Sequence, residues 1–239
     1  MSDEASKAER TTKSITADAE KRLLLRIAAA LPARVMPDHL TLLAVVSSLV
    51  IGGGYALSNR GPGWLWLASA GLAVHWFGDS LDGTLARVRR IQRPRYGFYV
   101  DHVADAFSTV AIGIGLGASP YMLLSIGLAI VIAYLVLSIN VYLETITRQQ
   151  FRFGYGVIGP TEARILLILL NTVAIFAGPI PFRVFGRGAT IFDVIGALAA
   201  LGMGAMLMRR LVRNLRILGR LEPGGVVKNE PPAKEAGGP

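Results

Sequence analysis

Six long apolar stretches recur along the chain, and they limit its fold more than any other feature of the sequence. With their flanks, several reach the roughly 20 residues that a helix needs to cross a lipid bilayer. The chain of 239 residues is 52% hydrophobic and 17% charged, which is more apolar than a soluble domain of this length needs to be. We therefore predict an all-α, polytopic membrane protein with about six transmembrane helices, near residues 40–58, 64–78, 102–118, 121–143, 163–178 and 191–208.

Polar segments flank this apolar region at both ends. We predict a disordered polar arm over residues 1–17, an interfacial amphipathic helix over 18–36, a six-helix transmembrane domain over 37–218 and a disordered tail over 219–239. In the amphipathic segment, apolar residues at helical spacing share one side, and basic residues can reach lipid headgroups. The apolar side consists of Leu24, Ile27, Ala28, Leu31 and Val35. The alternative is a cytosolic helix that packs on the protein's own loops.

The distribution of basic residues predicts the orientation of the chain in the membrane. Lys and Arg concentrate in the N-terminal arm, in the turns after the second and fourth apolar stretches, and in the C-terminal tail. By the positive-inside tendency, both termini and the loop after the second stretch face the cytoplasm, which in a bacterial cell makes this a protein of the cell membrane. The net charge of +9 then reflects topology and contact with anionic lipids. Because the basic residues do not interleave with aromatic residues, we expect no nucleic-acid partner.

Four aspartates lie where apolar helices are predicted, at a place where a buried carboxylate is costly. Asp79 and Asp82 are three residues apart. Asp101 and Asp105 are four residues apart. On a helix, either spacing places both side chains on one face, so each pair can converge on one point. The alternative is that these acids form ordinary salt bridges with the arginines of the intervening loop.

Four ionised carboxylates at short separation repel one another unless protons or cations neutralise them. Two divalent cations would balance the charge, and a ligand set made only of oxygen favours Mg²⁺, Mn²⁺ or Ca²⁺ over zinc. The chain contains no cysteine, which excludes thiolate ligands and cysteine nucleophiles. Small residues one turn from the acids, Gly83, Ala86 and Gly97, leave room for a ligand, and Arg87 can bind the same anion. The pattern therefore indicates a diphosphate-bearing substrate held through metal ions.

These residues also resemble the signature of the CDP-alcohol phosphotransferase family, D-x2-D-G-x2-A-R followed by G-x3-D-x3-D. The chain matches every fixed position of that signature, in the segments Asp79-SL-Asp82-Gly83-TL-Ala86-Arg87 and Gly97-FYV-Asp101-HVA-Asp105. The likeness extends to the six predicted spans, the N-terminal helix and the Pro37-DHL-Thr41 opening of the first span, over roughly residues 20 to 215.

The resemblance implies a membrane enzyme that transfers a phosphoalcohol group from a CDP-alcohol to an acceptor hydroxyl and releases CMP, with 37–218 as the catalytic domain. It implies a homodimer and two bound divalent ions, Mg²⁺ or Mn²⁺. By position, Asp79, Asp82, Asp101 and Asp105 are the metal ligands, and Asp105 is also the general base. The positions that accommodate the CDP group are Asp82, Gly83, Ala86, Arg87 and Gly97.

Local features resemble the choline/ethanolamine phosphotransferase branch, in which the CDP carries the headgroup and the acceptor is a lipid. His102 follows Asp101 as in that branch, and Val157-IGPT-Glu162 is similar to its N-G-P-T-E-G segment, although Ala163 replaces the second glycine. His102 can share the role of base, or only hydrogen-bond a neighbouring carbonyl. Glu162 is a candidate acceptor contact, or an acid favoured by the dipole of its helix. Further candidates for acceptor contacts are Arg148, Arg152 and Arg164, which equally fit the charge rule alone.

Two other functions stay open from the sequence. One is phosphatidyl transfer from CDP-diacylglycerol to a small polyol or amino alcohol, within the same family. The other is a cation or proton transporter, which would distribute its acids along the depth of the membrane. The clustering of the four aspartates at helix ends favours the enzyme.

Overall fold

The structure is a computed structural model that describes residues 17–148, 159–184 and 187–222. It contains seven α-helices in this part of the chain, a short 3₁₀ turn at Ser58–Arg60 and one two-stranded antiparallel hairpin. The elements are α1 Ala17–Ala30, α2 Pro37–Leu57, α3 Trp64–Val88, α4 Pro94–Gly117, α5 Leu124–Arg148, α6 Pro160–Ala177, β1 Pro181–Val184, β2 Arg187–Thr190 and α7 Ile191–Leu221.

The helical membrane architecture predicted from the apolar stretches is confirmed. Within the described ranges, four helices are long and apolar enough to cross a membrane: Pro37–Arg60, Leu124–Thr147, Pro160–Ala177 and Ile191–Leu221. The other two predicted spans fall on α3 and α4, which carry the aspartates. At ~1.5 Å per residue, the 25 residues of α3 extend over about 37 Å, enough to cross a bilayer by length. A total of six spans stays a prediction.

The helices pack in a continuous series in which each contacts the next. α6 packs against α3, α3 against α2, α2 against α4, α4 against α5, and α5 against α7. The buried core of this series includes Ile51, Tyr55, Leu65 and Leu72, which lie between α2 and α3. Since α2 contacts both α3 and α4, it holds the two helices that carry the acid pairs.

Glycines allow the backbone of α2 to pack directly against the backbones of α3 and α4. A Cβ atom added at Gly52 of α2 would lie 2.5 Å from the carbonyl oxygen of Ala111 on α4. A Cβ atom at Gly78 of α3 would lie 2.5 Å from the carbonyl oxygen of Leu40. Contacts this short exclude any side chain, so the close packing of α2 against both helices depends on these glycines.

Adjacent glycines in α2 provide a matched test of this packing. We expect Gly52→Ala to destabilise the protein by about 1–3 kcal/mol, because the new methyl group meets the backbone of α4. Gly53 is the control, since a Cβ atom there would meet nothing within 4 Å. Gly53→Ala should therefore leave stability unchanged or raise it by up to about 1 kcal/mol, through helix propensity. Thermal unfolding in detergent measures both, and equal melting temperatures for the two variants would contradict this account of the α2–α4 contact.

The N-terminal helix α1 packs on the rest of the protein through the side that the sequence predicts to be apolar. Leu24 and Ala28 are buried in a cluster with Leu81 and Leu85 of α3. The linker after α1 is held by Arg89, whose guanidinium donates to the carbonyl oxygens of Leu31, Pro32, Ala33 and Val35. Leu23 and Leu25 remain exposed on the other side of α1.

The hairpin is an element that the sequence analysis did not predict. It precedes α7, whose first turn is capped by Thr190, the acceptor of a hydrogen bond from the backbone N–H of Asp193. The Asp193 carboxylate accepts in return from the N–H of Thr190 at 2.7 Å and from the N–H of Leu123 at 2.7 Å. This buried acid therefore satisfies backbone donors at a helix terminus.

Candidate active site

Helix register brings the two acid pairs to the same level of α2. Asp79 directly follows Gly78, which packs against Leu40 near the start of α2. Asp105 lies six residues before Ala111, which contacts Gly52 of α2. At ~1.5 Å per residue, Asp105 therefore lies about 9 Å nearer to the start of α2 than Ala111 does. The packing of α2 therefore places both acid pairs towards its start, while their convergence on one point stays a prediction.

The four carboxylates interact electrostatically across the space between α3 and α4. Asp82 lies close enough to Asp79 and Asp101 for their charges to act on it. Asp105 lies close enough to Asp79, Asp82, Asp101 and Arg164 for their charges to act on it. The acids therefore form a single cluster, unlike the distribution along the membrane depth that an ion path predicts.

Asp82 is bound by donors from α2 and from its own helix. Its Oδ2 atom accepts a hydrogen bond from the hydroxyl of Thr41 at 2.6 Å. Its Oδ1 atom accepts one from the backbone N–H of Gly83 at 2.5 Å. Thr41 ends the Pro37-DHL-Thr41 segment, which resembles the family at the start of the first span. The sequence analysis gave Thr41 no role in the site. The contact fixes Asp82 at the junction of α2 and α3.

Asp79 forms an ion pair with Arg164 of α6. The Arg164 Nη2 atom lies 2.5 Å from Asp79 Oδ2, and both side chains are largely buried. The sequence analysis names Arg164 as a candidate acceptor contact that the charge rule alone also explains, and the structure pairs it with Asp79. No sequence pattern links the two residues, which are 85 positions apart.

Asp101 and His102 lie on α4, where His102 faces α5. The His102 ring packs against Phe98, with ring centroids 4.0 Å apart, and against Tyr142 of α5, with centroids 4.3 Å apart. Its Nδ1 atom is 3.5 Å from Asp101 Oδ2. His102 is thus held in an aromatic environment beside Asp101, while Asp105 lies one turn further along α4.

The chemistry of this donor set fits a hard divalent cation, because all four groups are carboxylates. The side chains themselves are bound to protein donors, Asp79 to Arg164 and Asp82 to Thr41. Over the three ranges that the structure describes, no three His, Asp or Glu side chains are close enough together to coordinate a metal ion. The role of the four aspartates as metal ligands therefore stays a prediction.

The positions predicted to accommodate CDP lie on α3 and α4, on either side of the loop between them. Arg87 donates to the hydroxyl of Thr84 at 3.0 Å, and its guanidinium lies 3.4 Å from where a Cβ atom of Gly83 would be. Ala86 belongs to the same last turns of α3. Gly97, in the first turn of α4, has open space around it, since an added Cβ atom would meet nothing within 4 Å.

The remaining candidates for acceptor contacts differ in how far the structure describes them. The Glu162 carboxylate accepts a hydrogen bond from the backbone N–H of Gly159 at 2.9 Å, at the start of α6. Arg148 is the last residue of α5, and its side chain lies outside the described part of the structure. Arg152 lies outside the described residues.

A family model described as CDP-alcohol phosphatidyltransferase matches residues 34–209, which include all four aspartates and Arg164. The chain belongs to the CDP-alcohol phosphatidyltransferase family. This confirms the resemblance seen in the signature, although it does not distinguish the choline/ethanolamine branch from the others. A comparison with curated proteins found none that matches the chain.

Membership of the CDP-alcohol phosphatidyltransferase family identifies the protein as an integral membrane transferase of lipid synthesis, which uses a CDP-alcohol as the donor of a phosphoalcohol group. The family generally depends on divalent cations. The aspartate cluster on α3 and α4 lies within the matched region. It is therefore the candidate active site of this phosphatidyltransferase family member.

Sequence reasoning missed two acids that link helices, Glu20, which is partly buried, and Glu144, which is buried. Glu20 of α1 accepts hydrogen bonds from α3 and α6. Glu144 of α5 accepts from Arg210 and Arg213 of α7. The presence of an acid in the apolar span of α5 was a usable signal for Glu144, because such a residue needs a partner. Nothing in the sequence around Glu20 indicates its partners.

Proposed function

We propose that the protein transfers a phosphorylated headgroup, of the ethanolamine or choline type, from its CDP derivative to the hydroxyl of a lipid acceptor and releases CMP. The observation that carries the proposal is the cluster of four carboxylates from α3 and α4, in a chain of this family. Four carboxylates close together in membrane helices are costly unless positive charge balances them, so the cluster indicates a cationic partner.

In this proposal Asp79, Asp82, Asp101 and Asp105 hold two divalent cations, Mg²⁺ or Mn²⁺. When bound, such ions neutralise the diphosphate and stabilise the charge on its leaving oxygen. Thr41 holds Asp82 against α2, and Arg164 provides a positive charge at Asp79. Gly83, Ala86, Arg87 and Gly97, together with Asp82, border the space for the CDP group.

Asp105 acts as the general base. Its carboxylate takes the proton of the acceptor hydroxyl, while the hydroxyl oxygen forms a bond to the phosphorus distal to cytidine. The bond between that phosphorus and the oxygen bridging to CMP breaks, and CMP leaves with the electron pair. His102, packed between aromatic rings, orients Asp101 in this scheme.

The two alternative enzyme activities differ in whether the CDP donor carries the headgroup or the lipid. His102 beside Asp101, and the segment that leads into Glu162, support a headgroup carried by CDP. Phosphatidyl transfer from CDP-diacylglycerol is the alternative.

The proposed orientation places both termini and the aspartate cluster on the cytoplasmic side. Arg89 and Arg93 support it, since both lie in the loop between α3 and α4, next to the site. Arg93 forms an ion pair with Asp38 at the start of α2. A homodimer is a further prediction from the family resemblance.

A donor panel tests the proposed function. Membranes that contain the protein are incubated with CDP-ethanolamine, CDP-choline or CDP-diacylglycerol, each with matching acceptors and with Mg²⁺ or Mn²⁺. The lipid products are then identified by mass spectrometry. We expect a headgroup-bearing lipid with a CDP-headgroup donor and diacylglycerol. Turnover with CDP-diacylglycerol alone would contradict the headgroup donor and support the alternative. Absence of turnover with every donor would contradict the function.

A further inference from the structure

A single carboxylate oxygen of Glu20 connects α1 with two helices of the candidate active site. Glu20 Oε1 accepts a hydrogen bond from the indole N–H of Trp76 at 2.7 Å and from the hydroxyl of Ser80 at 3.3 Å, both on α3. It also accepts from the hydroxyl of Thr161 on α6 at 2.7 Å. These three hydrogen bonds to one oxygen atom join α1 to both α3 and α6.

These donors lie directly beside the aspartate cluster. Ser80 stands between Asp79 and Asp82 in α3, and Thr161 precedes Arg164 by three residues in α6. The Arg164–Asp79 ion pair therefore joins α3 and α6 within one turn of the place where Glu20 joins them. Movement of α6 relative to α3 at the level of Glu20 would shift Arg164 relative to Asp79.

We propose that Glu20 is a positioning residue for the transfer reaction, which fixes α3 against α6 and thereby keeps Asp79 and Arg164 in their relative places. The proposal rests on the proposed function. Glu20 acts through α3 and α6, because its Oε1 atom accepts the three donors that these helices carry. The helix that the sequence analysis assigned to membrane binding is thus also part of the support of the active site.

The kinetic test compares Glu20→Ala with Glu20→Gln. Glu20→Ala removes the acceptor, and we expect kcat to fall by about tenfold or more, because small displacements of catalytic groups are costly. The KM for the CDP-alcohol should stay within roughly twofold, since no donor-binding group is lost. Glutamine keeps a carbonyl oxygen at the same place, and Glu20→Gln should recover most of kcat. Asp18→Asn, which removes an exposed acid of the same helix, is the control and should behave as wild type.

A spectroscopic readout tests the contact independently of activity. The chain has three tryptophans, and the Trp76→Phe variant identifies the indole ¹⁵N–¹H signal of Trp76 by its loss. Glu20→Ala should shift this signal, Glu20→Gln should keep it near the wild-type position, and Asp18→Asn should not move it. An unshifted Trp76 signal in Glu20→Ala would show that Glu20 does not hold α3, and would overturn the proposal.

The two readouts separate this proposal from the proposed function. If Glu20→Ala shifts the Trp76 signal while kcat stays at the wild-type value, the positioning role is refuted, although the transferase function stands. If kcat falls and KM rises in both Glu20 variants, the effect is not confined to kcat, and the proposal is again refuted. If the wild-type protein has no transferase activity, the proposed function fails, and with it the positioning role, even where the Trp76 signal confirms the contact.

Discussion

Replacing Asp105 with asparagine is expected to lower kcat by about 10²- to 10⁴-fold, the range that a positioned general base contributes. Asparagine has the same shape, but its amide cannot accept the proton of the acceptor hydroxyl. Asp105 is the acid on which the charges of all three other aspartates act. It also lies one turn beyond Asp101 on α4. Release of CMP from a CDP-alcohol, followed over time, measures the effect.

The stability of the Asp105→Asn variant distinguishes a catalytic loss from a folding defect. Removing one of four mutually repelling charges should leave the melting temperature unchanged or raise it. The Asp18→Asn variant, in which an exposed acid of α1 is neutralised, serves as the matched control for activity. A wild-type kcat in Asp105→Asn would remove Asp105 as the base. Loss of folded protein in that variant would contradict the view that the cluster is destabilised by its own charge.

The largest expected effect on stability comes from Glu144, which lies far from the aspartates in sequence. Its carboxylate is 5% exposed and accepts hydrogen bonds from Arg210 at 3.1 Å and from Arg213 at 2.9 Å. Arg210 is 8% exposed, so Glu144→Ala leaves a buried guanidinium without its acidic partner. Breaking a buried pair in this way typically costs about 3–5 kcal/mol. The melting temperature of the purified protein should therefore fall by about 10 °C.

Two further variants examine the Glu144 contact. Arg213 is partly exposed, with 43% of its side chain accessible, and Arg213→Ala should cost less than about 1 kcal/mol. In Glu144→Ala/Arg210→Met, the double variant, both buried charges are replaced by apolar groups, and much of the lost stability should return. A Glu144→Ala protein that melts at the wild-type temperature would show that α5 and α7 are held together by apolar packing alone.

The helices and the aspartate cluster could be predicted because their signals are local. Apolar runs of sufficient length define membrane helices without knowledge of their neighbours. The spacing of Asp79 and Asp82 determines that they share a helix face, and the same holds for Asp101 and Asp105. The cost of unpaired carboxylates then indicates that the two faces meet around a common partner.

The contacts that support the site could not be predicted, because they join residues far apart in the sequence. Thr41 reaches Asp82, and Arg164 reaches Asp79, only after α2, α3 and α6 have packed. In the sequence, Arg164 resembles other arginines of the chain, and the positive-inside rule alone accounts for its position. The hairpin before α7 was missed because its two strands have four residues each, too few to show a period.

The most direct test of the account is to follow the acceptor oxygen through the reaction. The acceptor alcohol is labelled with ¹⁸O at its hydroxyl, and CMP and the lipid product are both analysed by mass spectrometry. We predict equal molar amounts of CMP and lipid product, with ¹⁸O in the lipid product and none in CMP. Label in CMP, or no release of CMP with any CDP-alcohol, would contradict transfer from a CDP-alcohol at the aspartate cluster.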